Sequence, residues 1–170
     1  MLNQISGARF LVSALVLSTL LSVGTPASWA QEPLTTPASA QFETRRLRSP
    51  FTVAQTVERL KKQIAQAEGL SLFSEVDHGA NAIKVRQSLR PTVLLIFGNP
   101  LVGTQLMQEN QLLGLDLPLK FLVWRNAQDE VWISWVAPAE LGRRYDLSTQ
   151  LEPLKKVDQN LQKLAEQALK

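Results

Sequence analysis

The sequence predicts one small domain of mixed helices and strands behind an export leader, and three observations carry that expectation. A chain of 170 residues with 45% hydrophobic and 19% charged residues has ordinary globular composition and room for a single core. Along it, apolar residues recur at helical spacing in some segments and alternate or run unbroken in others, in the order β-α-β-α-β-α-β-β-α. At the start, Arg9 precedes an apolar stretch from Phe10 to Val23, and the small residues Ser28 and Ala30 precede Gln31. These are the three parts of a secretory signal, with cleavage expected after Ala30 and the product in a periplasm or outside the cell. The alternative is an uncleaved anchor, against which the apolar stretch is shorter than the roughly 20 residues of a spanning helix. No membrane span is expected in the mature chain.

Residues 31–41 are rich in Pro, Thr, Ser and Ala without a periodic apolar face, the composition of a flexible tether. From Phe42 the chain reads as extended to Arg48, and Ser49-Pro50 ends the strand because a residue before proline avoids the helical region. Thr52 and Gln55 have capping-box spacing. Val53, Val57, Leu60, Ile64 and Ala67 then follow at helical spacing until Gly69. Leu70 to Asp77 alternates as a strand partly open to solvent. A short helix with Ala82, Val85 and Leu89 on one stripe is expected before Arg90-Pro91.

Thr92 to Phe97 is an unbroken β-branched and apolar run, the pattern of a central strand buried on both faces. Asn99 and Pro100 fit the cap and first position of a helix reaching Leu112 or Leu113, with Gly114 as its stop. Leu119 to Arg125 and Glu130 to Val136 form a hairpin around the loop at residues 126–129, stiffened by Trp124, Trp132 and Trp135. A helical turn after Pro138 reaches Arg144. Pro153 then opens a last helix with Leu154, Val157, Leu161, Leu164 and Ala168 on one stripe.

Composition excludes several functions. There is no cysteine, so disulfides, thiolate metal sites, thiol catalysis and a cysteine lipid anchor are out. Removing Arg9 with the leader leaves 17 basic against 15 acidic groups, a net charge of +2. The basic groups at Arg45, Arg46 and Arg48, at Lys61 and Lys62, and at Arg143 and Arg144 lack interleaved aromatic stacking platforms, which argues against nucleic acid as a partner. No zinc-protease, nucleophile-elbow, P-loop or dinucleotide fingerprint is present, so no cofactor is indicated.

Four blocks stand in order along the chain: Ser49-Pro50-Phe51-Thr52-Val53-Ala54-Gln55-Thr56-Val57, Val76-Asp77-His78-Gly79-Ala80-Asn81-Ala82, Ile96-Phe97-Gly98-Asn99-Pro100, and Asp116-Leu117-Pro118-Leu119-Lys120. In them the chain resembles the domain of unknown function 302 (DUF302) family, over about Glu43 to Tyr145. The resemblance implies an α+β fold in two layers, with helices packed on a mostly antiparallel sheet of about five strands. It implies no known reaction.

The residues best suited to chemistry are Asp77, His78 and Asn81 at the start of one helix, with Asn99 as a fourth member of a small polar pocket. His78 would act as base or metal ligand, Asp77 as its orienter or a second ligand, and the two asparagines as hydrogen-bonding groups. A metal would need further ligands, for which Glu75 and Glu109 are the available acids, and Glu75 shares the face of Asp77 along the strand. The plainer alternative is that Asp77 and Asn99 are helix caps and His78 bonds to nearby backbone. The glycine turn at residues 98–104 is a weak anion site, because Pro100 removes one amide donor and no Lys or Arg is near in sequence. Met107 and the leucines after it read as core. The reading these residues favour is an exported module binding a small ligand or metal. Its alternatives are a protein-interaction module, homodimeric through a sheet edge or the last helix, and a hydrolase using Asp77 and His78.

Overall fold

The computed structural model describes residues 43–148 and 152–170, and the leader and tether lie outside them. Strand β1 (Thr44–Ser49) leads into helix α1 (Val53–Gln66), whose start carries both halves of the capping box between Thr52 and Gln55. Beneath that cap, Ser49 Oγ lies 2.7 Å from Thr56 Oγ1, which in turn donates to Thr52 O at 2.8 Å. The first of the four sequence blocks is therefore a strand-to-helix corner, with Ser49 and Thr56 buried and paired. Gly69 ends the segment at a φ of 72°, a conformation that glycine adopts without a Cβ penalty.

The chain continues through β2 (Ser71–Asp77), α2 (His78–Lys84), β3 (Thr92–Gly98), α3 (Pro100–Glu109), a 3₁₀ turn (Gln111–Leu115), β4 (Leu119–Arg125), β5 (Val131–Val136), α4 (Pro138–Arg144) and α5 (Glu152–Ala168). The five strands form one antiparallel sheet in the order β1-β5-β4-β3-β2. This is the expected α+β architecture of helices laid on one face of an antiparallel sheet.

That face carries Val93, Leu95 and Phe97 from β3, Phe121 and Val123 from β4, and Val131, Ile133 and Trp135 from β5. Phe121 stacks on Phe97 at 4.8 Å and meets Trp135 edge-on at 5.5 Å. Opposite them α1 contributes Leu60 and Ile64, and α5 contributes Leu161, Leu164 and Ala165, all buried. The apolar stripe of α5 is thus part of the domain's own core. Asn126 holds the β4–β5 hairpin, accepting from Gln128 N and Glu130 N at 2.9 Å each.

Three elements depart from the sequence pattern. The run at β3 lies inside the sheet, between β4 and β2, but it is not fully buried on both faces: Leu94 and Ile96 on its outer side are only half-buried. Helix α3 stops at Glu109 rather than near Leu113, because Asn110 turns to φ −151° while its amide donates to Tyr145 O at 2.8 Å. Helix α2 ends at Lys84, and Val85 and Leu89 of its expected stripe stay exposed, since no described element packs over them.

Candidate functional site

The four polar residues singled out in the sequence do not come together. Asp77 pairs with Val93 across the β2–β3 ladder while Gly98 pairs with Ser71, so Asn99 emerges at the opposite end of the sheet. At about 3.4 Å per residue the two ends are roughly 20 Å apart. Asp77 is the N-cap of α2, its carboxylate accepting from Ala80 N at 2.8 Å. Asn81 accepts from Lys84 Nζ at 3.1 Å on the same exposed turn, and His78 is exposed beside them.

Glu75 is engaged as well. Lys61 bridges it to Glu58 with 3.0 Å contacts to each, and the bonds to Glu58 and then Glu75 hold the Lys61 ammonium above its ordinary pKa. Among the described residues no three of His, Asp and Glu lie close enough to hold a metal ion, so Glu75, Asp77 and His78 form no assembled centre. Glu109 lies exposed at the end of α3.

Asn99 instead stands at the edge of a cleft of about 770 Å³ bounded by α1, α3, α5, β2 and the ends of β3 and β4. Its side chain caps α3, accepting from Leu101 N at 2.9 Å. The close approach of the chain on this side is visible at Gly69, where an added Cβ would fall 2.5 Å from Asn99 Nδ2. The walls are Leu70, Phe73, Phe97, Leu106, Met107 and Leu164, and the polar groups Gln66, Glu68, Thr104, Asn160, Lys163 and Gln167 lie around them. Of the walls, Phe97, Leu106 and Leu164 belong to the buried core, whereas Phe73 is 51% exposed. Such a half-open cleft can hold an apolar body and fix its orientation with a few hydrogen bonds.

A wider depression of about 1070 Å³ lies at the Asp77 end, beside Phe51, Ile83, Leu89 and Arg125. Ile83 is 73% exposed there and Leu89 48%, so it is an open surface rather than an enclosure.

Sequence reasoning missed the cleft because its walls come from six elements, and each wall residue reads locally as core or as a strand position. Met107 is the case in point: it was expected in the core, and it is half-buried on the cleft wall. The available signal was the surplus of apolar side chains in α3, a helix of which only Leu106 is buried.

The Asp116 block has a structural place. Asp116 accepts from Arg144 at 2.7 Å and from Tyr145 Oη at 2.7 Å, tying the segment before β4 to the end of α4. Burial pushes the Asp116 carboxyl up, and the bonds from Tyr145 and Arg144 outweigh it and hold the group below its ordinary range. Lys120 donates to Asp116 O at 2.5 Å, and burial lowers its pKa against the attraction of Asp116.

The curated proteins similar to this chain include a fluoride-specific ion channel, FluC 1, of Brucella suis biovar 1 (strain 1330), 43% identical over 99 residues. That match covers 58% of this chain and 39% of the Brucella protein. FluC 1 of Brucella abortus biovar 1 (strain 9-941) is likewise 43% identical over 99 residues, which are 58% of this chain and 36% of that protein. The chain thus spans well under half the length of the curated relatives it matches. Among solved structures, an uncharacterized conserved DUF302 protein from Bacillus stearothermophilus superimposes with a TM-score of 0.67 at 21% identity, over 76% of this chain and 99% of that one. The pattern of the family described as domain of unknown function DUF302 matches residues 45–168, nearly all of the folded part. With the α+β sheet and its helices in place and that pattern running from β1 to the end of α5, the chain belongs to the DUF302 family.

Proposed function

We propose that this chain is an exported binding module that holds a small, mainly apolar molecule in the cleft between α1, α3 and α5. The observation that carries the reading is the cleft itself. Its volume of about 770 Å³ lies in the range of small-molecule sites, and its apolar walls are flanked by a few polar side chains. Nothing in this reading requires catalysis. The readings that relied on Asp77 and Glu75, a hydrolase or a metal site at that end of the sheet, have less support from the geometry: the Asp77 carboxylate caps α2, and Glu75 is bridged to Lys61. Fluoride conduction is not part of the proposal, because the Brucella names describe whole proteins of which this chain spans about two fifths.

The test is binding of the fluorescent apolar probe N-phenyl-1-naphthylamine to the chain beginning at Gln31, beside a Gly103→Leu variant. Gly103 lines the cleft, and a Cβ there makes an ordinary 3.6 Å contact with Leu117, so the added side chain fills space without displacing backbone. Saturable binding that Gly103→Leu abolishes, with the fold intact by circular dichroism, supports the reading. Equal binding by both proteins, or none by either, defeats it. Export has a separate check: the protein recovered from a periplasmic or extracellular fraction should begin at Gln31.

A further inference from the structure

The cleft has a floor and a rim of different chemistry. Phe97, Leu106, Leu161 and Leu164 are buried beneath it, whereas its polar side chains stand half-buried or exposed around the mouth. Helical spacing explains the division. On α5, Asn160, Lys163 and Gln167 recur at three and four residues, on a stripe beside the core residues Leu161 and Leu164. On α1, Gln63 and Gln66 stand one turn apart beside the buried Ile64. Across the cleft, Thr104 on α3 and Asn99 at its cap complete the rim.

That rim is built from amides rather than charges. Helix α1 carries four charged residues and α5 six, and of these ten only Lys163 lines the cleft. Glu68, in the turn after α1, is its counterpart of opposite sign. Elsewhere on the two helices polar groups are paired within the chain: Lys61 bridges Glu58 and Glu75, Asp158 meets Arg45 at 2.7 Å, and Gln162 donates to Glu166 at 2.6 Å. The side-chain amides of Gln63, Gln66, Asn160 and Gln167, by contrast, have no hydrogen-bond partner among the described residues.

Given that the cleft binds an apolar molecule, as proposed above, we infer that its ligand is an uncharged amphiphile: an apolar chain whose head carries amide or hydroxyl groups. The chain lies on Phe97, Leu106 and Leu164, and the head meets the four free amides. Each amide both donates and accepts, so a rim of them matches a head that does the same. A charged head fits poorly. It loses hydration on entering a cleft with an apolar floor, and Lys163 and Glu68 oppose each other in whichever sign it carries.

Displacement of N-phenyl-1-naphthylamine from the chain beginning at Gln31 tests the head group. Octanamide, methyl octanoate, octanoate and octyltrimethylammonium share an eight-carbon chain and differ in head: the first donates and accepts, the second only accepts, and the last two are charged. Octanamide should displace the probe at a concentration about tenfold lower than any of the others. Simple partition into an oily site would instead favour methyl octanoate, the more apolar of the two neutral compounds. Replacing both α5 amides, Asn160→Leu with Gln167→Leu, should bring octanamide and methyl octanoate to within about twofold of each other. If that double variant does not fold, Asn160→Leu alone, at an exposed position, decides, with an expected loss of about threefold in the preference. A preference for either charged compound, equal displacement by octanamide and methyl octanoate, or a preference kept in the variants would each overturn the head-group assignment, while probe binding that Gly103→Leu abolishes would leave the cleft reading standing. Absence of probe binding removes both.

Discussion

The Tyr145 hydroxyl donates to Asp116 Oδ2 at 2.7 Å, across 29 positions of sequence. With the Arg144 bond at 2.7 Å it holds the carboxyl ionised in a partly buried setting. A carboxyl held below its unfolded pKa contributes stability that is complete above the ordinary carboxylate range and is lost as pH falls through the folded value. Urea midpoints should therefore decline below about pH 4, and Asp116→Asn should weaken that decline. At neutral pH the same variant should cost about 1–3 kcal/mol. Parallel pH curves for the two proteins would remove Asp116 from the explanation.

The corner at Ser49 and Thr56 gives a second prediction. Thr56 is fully buried and its hydroxyl joins Ser49 to Thr52 O. Thr56→Val keeps the shape and leaves Ser49 Oγ short of a buried partner, at an expected cost of about 1–3 kcal/mol. Chemical denaturation measures it, and a change under about 0.5 kcal/mol would place the variant among ordinary surface substitutions and refute the role.

Gly69 combines positive φ with a close neighbour, since a Cβ would come 2.5 Å from Asn99 Nδ2. Gly69→Ala should lose about 1–3 kcal/mol through backbone strain. It should also disturb the Asn99 cap of α3 and so weaken probe binding in the cleft. A stable variant with unaltered binding contradicts the coupling of this turn to the cleft.

His78 is exposed at the start of α2. His78→Ala should change stability by less than about 0.5 kcal/mol and leave probe binding unchanged. A loss of binding would return the site to the Asp77 end of the sheet.

Much of the architecture was legible locally. The capping box at Thr52 and Gln55, the Asn99-Pro100 start of α3, the 126–129 hairpin loop and the stripe of α5 all appear as read, because caps, turns and amphipathic periods depend on neighbours within a few residues. Where the reading failed, a distant partner intervened. Asn110 breaks α3 through Tyr145, 35 positions away.

The candidate site was the least legible part. Asp77 and Asn99 each sit at a strand end beside a helix start, and nothing local distinguishes the two ends of an antiparallel pair; the β2–β3 ladder separates them. The cleft has no motif at all.

By itself the sequence determined the element types, most of their limits and the set of residues able to form a core, because these follow from periodicity, capping and turn chemistry along the chain; the family showed in its four blocks as a resemblance. Only the tertiary structure decided that β4 is the middle strand, that the four polar residues divide between two ends of the sheet, and that α1, α3 and α5 leave a cleft. Those outcomes depend on strand order and on which faces meet, and pairings between distant segments set both.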